Sequence, residues 1–302
     1  MQLIVPFAAP LSDAGRAALR SLQLPHLQSL LTHMTETFRD DGDALSFSPP
    51  HERSLGRALG FTGADGRLPF GAWLAQHDGI ATGDAAWALL TPAHWEVATD
   101  HVRLADPAAL ALDEASSRTL LDVVRPLFDE EGMQLVWGAA ERWYVAHPSL
   151  DSLATASLDR VIGRQLDAWL PEGPEARRMR RLQNEVQMLL HNHPINAERE
   201  DAGQLTMNSF WLSGCGIAQQ ARSPAPTVDG RLRAPALAED WAAWTEAWRS
   251  LDEDLGRLGQ DSTLVLCGER SAVQFDAQPR SWWRRMQGTL RGAAVLPLLE
   301  SL

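Results

Sequence analysis

The sequence predicts a layered α/β fold, and three observations carry that prediction. Short apolar runs suited to strands alternate with segments of helical periodicity, and the chain shows no internal repeat. No apolar run reaches the roughly 18 residues that a membrane-spanning helix needs. With 302 residues the chain has length for one large α/β domain or two smaller ones.

The elements follow in order. The apolar run at residues 3–8 reads as a first strand, and "MQLIVPFAAP" lacks the basic flank expected of a signal peptide. Ser12 is placed to cap the helix of "SDAGRAALRSL", and residues 24–34 predict a second helix. "RDDGD" (39–43) reads as an exposed acidic loop, and the Pro pair of "FSPPHERSLGRALGF" precedes a helix beginning near His51. Residues 83–105 give β-like runs broken by Pro92, residues 112–132 a helix ending at Gly132, and residues 133–147 a hairpin. Two helices separated by "LPEGPEA" are expected over 157–191. A Pro- and Ser-rich loop (219–235) leads into an amphipathic helix (236–258) with Trp241, Trp244 and Trp248 on one stripe. A strand pair over 262–275 and a helix from 281 close the chain.

Composition removes several function classes. The formal net charge is −12, which opposes nonspecific binding to nucleic acid. "EARRMRRLQ" (175–183) and "RSWWRR" (280–285) are local exceptions, the first reading as a solvated helix face. All 27 basic residues are arginine, so Schiff-base chemistry and a P-loop lysine are excluded. Cys215 and Cys267 form no disulfide framework, in keeping with a cytoplasmic protein.

The densest candidate site is "HNHPINAEREDAGQLTMNSFWLSGCG" (191–216). Read as a strand, it sets His191 and His193 on one side, and with Asp84 or Asp106 they would make a weak metal set. Asn196, Arg199 and Asn208, with the two histidines, would alternatively bind a small anion, Arg forking onto two oxygens. The bland reading has these groups capping helix ends and pairing buried backbone groups. Cys215 between glycines invites a nucleophile reading with His193 as base, against that of a small residue at a strand end. His51 with Glu52, and His94, Asp100 and His101, are weaker acid–base candidates. The Trp stripe reads as core, or as a partner-binding helix if exposed.

Three segments, "LPHLQSLL", "GIATGDAAWALLTPAHWEVATDHVRL" and the 191–216 stretch, resemble the archaeal-type cofactor-independent phosphoglycerate mutases of the alkaline phosphatase superfamily. With "PPHERSLGRALGF", "LRAPALAEDWAAW" and "LVLCGERSAVQF", nearly the whole chain resembles a bacterial family described either as phosphoglycerate mutase or as RpfE-type regulatory protein. The resemblance implies an alkaline-phosphatase-like layered sheet with helices on both faces and a smaller inserted α+β domain. It places the core in residues 1–65 and 190–302 and the insert in 66–189. It also implies two metal ions, a Ser or Thr nucleophile, and a first metal ligand, an Asp, at the end of strand one. Here that strand ends "LIVPFAAP" with no acid before Asp13, and no histidine follows His193. The expectation is a non-catalytic (pseudoenzyme) binding or regulatory protein without cofactor, taking a small anionic ligand or a protein partner. An active phosphoryl-transfer enzyme using divalent metal, or a partner of a nucleic-acid enzyme, are the alternatives.

Overall fold

The computed structural model describes residues 1–98, 101–259, 261–277 and 294–302. The expected helix from 281 and the "RSWWRR" patch lie outside the described residues, as does Asp100. Two compact units form: Met1–Gly60 with Arg222–Leu302, and Phe61–Ala221. The chain leaves the first unit and returns to it at one place, where the Arg222 N–H donates to Leu59 O at 2.8 Å.

The first unit opens with β1 (Gln2–Val5), α1 (Asp13–Ser21), α2 (Pro25–Thr32), β2 (Met34–Asp41) and α3 (Pro50–Leu59). The second contains α4 (Phe70–His77), β3 (Ala86–Ala93), β4 (Trp95–Val97), β5 (Val102–Leu104), α5 (Glu114–Glu130), β6 (Gln134–Ala139), β7 (Arg142–Ala146), α6 (Leu158–Val161), α7 (Pro174–His191), α8 (Pro194–Asp201) and β8 (Ser209–Ile217). The first unit resumes with β9 (Thr227–Val228), α9 (Arg233–Leu237), α10 (Trp241–Leu255), β10 (Thr263–Cys267), β11 (Ser271–Ala277) and α11 (Val295–Glu300). Among the described residues, no helix is long and apolar enough to cross a membrane.

In the first unit the sheet order is β2-β11-β10-β1-β9. β1 runs parallel to β10 and β9, while β11 is antiparallel to both β10 and β2, so the sheet is mixed. Leu3, Val5, Leu264, Leu266 and Val273 pack beneath α1, α2 and α10, with Leu19, Leu27, Trp244, Trp248 and Leu251. The alternate residues Ile4, Val265, Cys267 and Ala272 meet Leu55 of α3 on the opposite face. Helices therefore cover both faces of this sheet, the layered α/β arrangement that the sequence predicts. Ser12 caps α1 as expected, accepting the Gly15 N–H at 3.1 Å.

The acidic 39–43 segment is not the expected loop through its whole length, because β2 extends to Asp41. β2 lies at a sheet edge, where charged side chains face solvent and guard an exposed ladder. Local ion pairs hold them: Arg39 Nε meets Glu36 at 3.0 Å and Arg53 Nε meets Asp40 at 2.7 Å. Polarity alone misreads such a strand.

The second unit holds the four-stranded antiparallel sheet β6-β7-β3-β8. One face packs on α5 and α7 through Leu120, Val124, Phe128, Met179, Val186 and Phe210. The other face receives α4 through Ala72, Ala75, Trp87 and Tyr144. Pro92 does not break β3, contrary to expectation. The β7 ladder ends at Leu90, so at Pro92 only β8 is paired and the missing N–H leaves no hole. Because β8 pairs with β3 from Ala86 to Ala93, residues 191–221 stay with the insert. The return to the first unit thus falls after Ala221 rather than at 190, and the insert is the longer unit rather than the smaller.

Candidate functional site

The 191–216 stretch begins on a helical corner, not a strand. His191 ends α7 and is exposed, and His193 caps α8, its Nδ1 accepting the Ile195 N–H at 3.3 Å. The two histidines therefore do not share a face through two-residue alternation. Pro194 at the first position of α8 and the Asn192–His193 break explain the corner, since Pro begins helices and cannot continue them.

Asn196 and Arg199, three residues apart on α8, face inward and are 4% and 5% exposed. Asn196 Nδ2 donates to Leu190 O at 3.0 Å and to Met207 O at 2.7 Å. Arg199 Nε donates to Leu205 O at 2.8 Å, and Nη2 donates to Leu110 O. Burial pulls the Arg199 pKa below its ordinary value, with Asp113 opposing. His94 Nδ1 bonds Thr206 O at 2.7 Å. Asn208 brackets Trp95, accepting its N–H at 2.7 Å and donating to its carbonyl at 3.0 Å. Residues 204–208 have no regular structure, so their buried polar groups need partners from elsewhere. Side-chain donors reach the carbonyls of Leu205, Thr206 and Met207 in turn. The structure brings Asn196, Arg199 and Asn208 to one backbone segment, and each uses its amide or guanidinium donors on main-chain carbonyls.

The remaining candidates separate. Among the described residues no three His, Cys, Asp or Glu side chains come together as a metal set. Asp84 is exposed, and Asp106 accepts the Ala108 N–H at 3.0 Å as a cap. Cys215 and Cys267 are buried, and burial pushes both thiols up to about 12, so neither is a thiolate at neutral pH. The Cys215 Sγ sits 3.6 Å from Thr155 Oγ1, and Cys267 Sγ 3.8 Å from Ser54 Oγ. Gly214, at φ +64°, lets β8 approach the start of α4: a Cβ there would stand 2.8 Å from Gly71 N.

Two constellations escaped the sequence reading. The first lies at the carboxyl edge of the parallel strands in the five-stranded sheet, the usual ligand position in open α/β sheets. There Phe7 adopts φ +56°, and its ring lies 5.4 Å from that of His51. Trp244 Nε1 donates to Phe7 O at 3.0 Å and Trp248 Nε1 to Ala8 O at 3.2 Å. Ala8 N donates to Cys267 O at 2.8 Å, and Leu11 N to Glu269 Oε1 at 2.9 Å. The Trp spacing was visible in sequence as a core stripe, but the indole N–H groups are what bind the strand end. The second is Asp78, Arg142 and Tyr144. Arg142 forks onto the Asp78 carboxylate at 2.8 and 2.9 Å, and the Tyr144 hydroxyl donates to it at 2.6 Å. Residues 64 positions apart carry no local signal in sequence.

No family model matches the chain. A probable 2,3-bisphosphoglycerate-independent phosphoglycerate mutase of Geobacter sulfurreducens is 26% identical over 119 residues, covering 39% of this chain. The match spans only 30% of that relative's length. Its likeness is to phosphoglycerate mutases. The solved cofactor-independent phosphoglycerate mutase of Thermoplasma acidophilum aligns over 100% of this chain and 98% of that one, at 15% identity and a TM-score of 0.38. A structure from Pyrococcus horikoshii aligns over 99% of this chain and 96% of its own, at 14% identity and a TM-score of 0.47.

Proposed function

We propose that this chain is a non-catalytic binding or regulatory protein derived from a cofactor-independent phosphoglycerate mutase, of the RpfE type and without that family's metal ligands. The observation that carries the reading is the chemistry at the carboxyl edge of β1 and β10. Two-metal phosphoryl transfer needs carboxylates and imidazoles at that edge to clamp the attacking and leaving oxygens. β1 instead runs out through Val5, Pro6, Phe7, Ala8 and Ala9, and β10 ends on Cys267, whose thiol stays protonated. Of the imidazole and carboxylate nearby, His51 lies against the Phe7 ring and Glu269 accepts the Leu11 N–H. These residues do not fit a pair of divalent ions. In this reading its ligand is a small anion or a protein partner.

The test is turnover. Purified full-length chain is assayed for phosphoglycerate mutase and phosphomonoesterase activity with manganese or zinc added. The expected result is no rate above buffer. Turnover that scales with protein concentration and survives repurification overturns the proposal in favour of an active enzyme.

A further inference from the structure

The same edge has a positive role. We propose that the carboxyl edge of the five-stranded sheet is a closed structural seam that takes no divalent metal ion, its strained strand end being held by the indole N–H groups of Trp244 and Trp248. Phe7 sits in the left-handed region at φ +56°, which a bulky L-residue keeps only where its surroundings over-determine it. Four hydrogen bonds do so here. The carbonyls of Phe7 and Ala8 accept from Trp244 and Trp248 at 3.0 and 3.2 Å. The Ala8 N–H reaches Cys267 O at 2.8 Å, and the Leu11 N–H reaches Glu269 at 2.9 Å. The carbonyl oxygens of Phe7, Ala8 and Cys267 and one oxygen of Glu269 thus each already accept a hydrogen bond. Both indoles lie on α10, one turn apart, and both rings are fully buried, so the donors are fixed by core packing.

The ligand inventory agrees. Residues 278–293 and Gln260 contain no Asp, Glu, His or Cys, so every such side chain of this unit lies among the described residues. No three of those come together. The inference rests on the reading of this edge given above but fails separately. Turnover without metal sinks the functional proposal and leaves the seam intact, whereas an unchanged Tm in Trp248→Phe overturns the seam's indole clamp and leaves the functional proposal standing.

The experiment uses full-length protein stripped with EDTA and titrated with Mn2+ and, separately, Zn2+. Calorimetry follows binding, and thermal unfolding follows its consequence, because an ion held only by the folded state raises Tm. The expected outcome is a Tm that stays the same with either ion. Saturable binding that is lost in Glu269→Gln or His51→Ala overturns the seam. Trp248→Phe supplies the second arm, keeping an aromatic ring while removing the N–H. Its Tm is expected to fall by roughly 2–4 °C with no gain in metal binding. An unchanged Tm in this variant overturns the role assigned to the indole.

Discussion

The Asp252 carboxylate on α10 accepts the Leu27 N–H at 2.7 Å and the His26 N–H at 3.1 Å, capping α2 from another helix. α2 has no side-chain cap of its own, since Leu24 occupies that position and Pro25 follows. A buried carboxylate on a helix N-terminus satisfies orphan donors and favours the positive end of the dipole. Asp252→Ala is expected to destabilise the first unit by about 2 kcal/mol, read by urea unfolding. Asp252→Asn keeps one acceptor and is expected to cost less. Equal losses for the two variants would show that the cap is not what the carboxylate contributes.

The Asp78–Arg142–Tyr144 cluster predicts a pH dependence in the second unit. Hydrogen bonds from Arg142, the largest cause, hold the Asp78 carboxyl below its usual range, with Tyr144 adding to the effect. A carboxyl whose folded pKa is depressed adds stability that is complete above its unfolded value of about 4. That stability is lost as pH falls through the folded pKa. Glu131 and Asp276 are depressed as well, by Arg178 and by hydroxyl donors, so total stability does not isolate the cluster. The difference between wild type and Asp78→Asn does. It is expected to be constant near neutrality and to shrink below about pH 4. A difference that persists unchanged to the acid limit would rule out the charge as its source.

Much of the fold was legible because periodicity and local punctuation carry it. Ser12, the Pro49–Pro50 pair and Gly132 sit at helix ends, and β1, α5, the β6–β7 hairpin and the β10–β11 pair fall where apolar spacing sets them. What misled was context. β2 reads as loop because its charges suit an edge, and Pro92 reads as a break because strand pairing on one side is invisible in one dimension. The polar density of 191–216 looked chemical, yet Arg199 and Asn196 serve carbonyls of a segment without regular structure. Residue types announce hydrogen-bonding capacity, and only the fold says whether a ligand or the backbone takes it.

Gly71 sets how closely α4 lies on the β3 strand. A Cβ at this position would stand 2.6 Å from the Ala88 Cα, and from backbone that cannot shift alone. Gly71→Ala is expected to cost about 3 kcal/mol through forced separation of helix and sheet. Gly79, at φ +78° with open space around it, is the control for glycine's backbone freedom. Gly79→Ala is expected to cost about 1 kcal/mol. Guanidinium unfolding of both variants decides the matter, and similar losses would mean that α4 has room to move.

The two cysteines report on the two units separately. Cys215 lies in the insert and Cys267 in the five-stranded sheet, and burial pushes each thiol up to about 12. Alkylation and disulfide exchange proceed through the thiolate, which is scarce at pH 8 for such a group. Each thiol should therefore react on the order of 10³-fold more slowly than a free cysteine in the native protein. Cys267→Ala leaves Cys215 to time the opening of the insert, and Cys215→Ala leaves Cys267 to time the other unit. Added urea should raise each rate at that unit's own midpoint. A native rate near that of free cysteine at Cys215 would reinstate it as a nucleophile and remove the purely structural account of the strand that carries it.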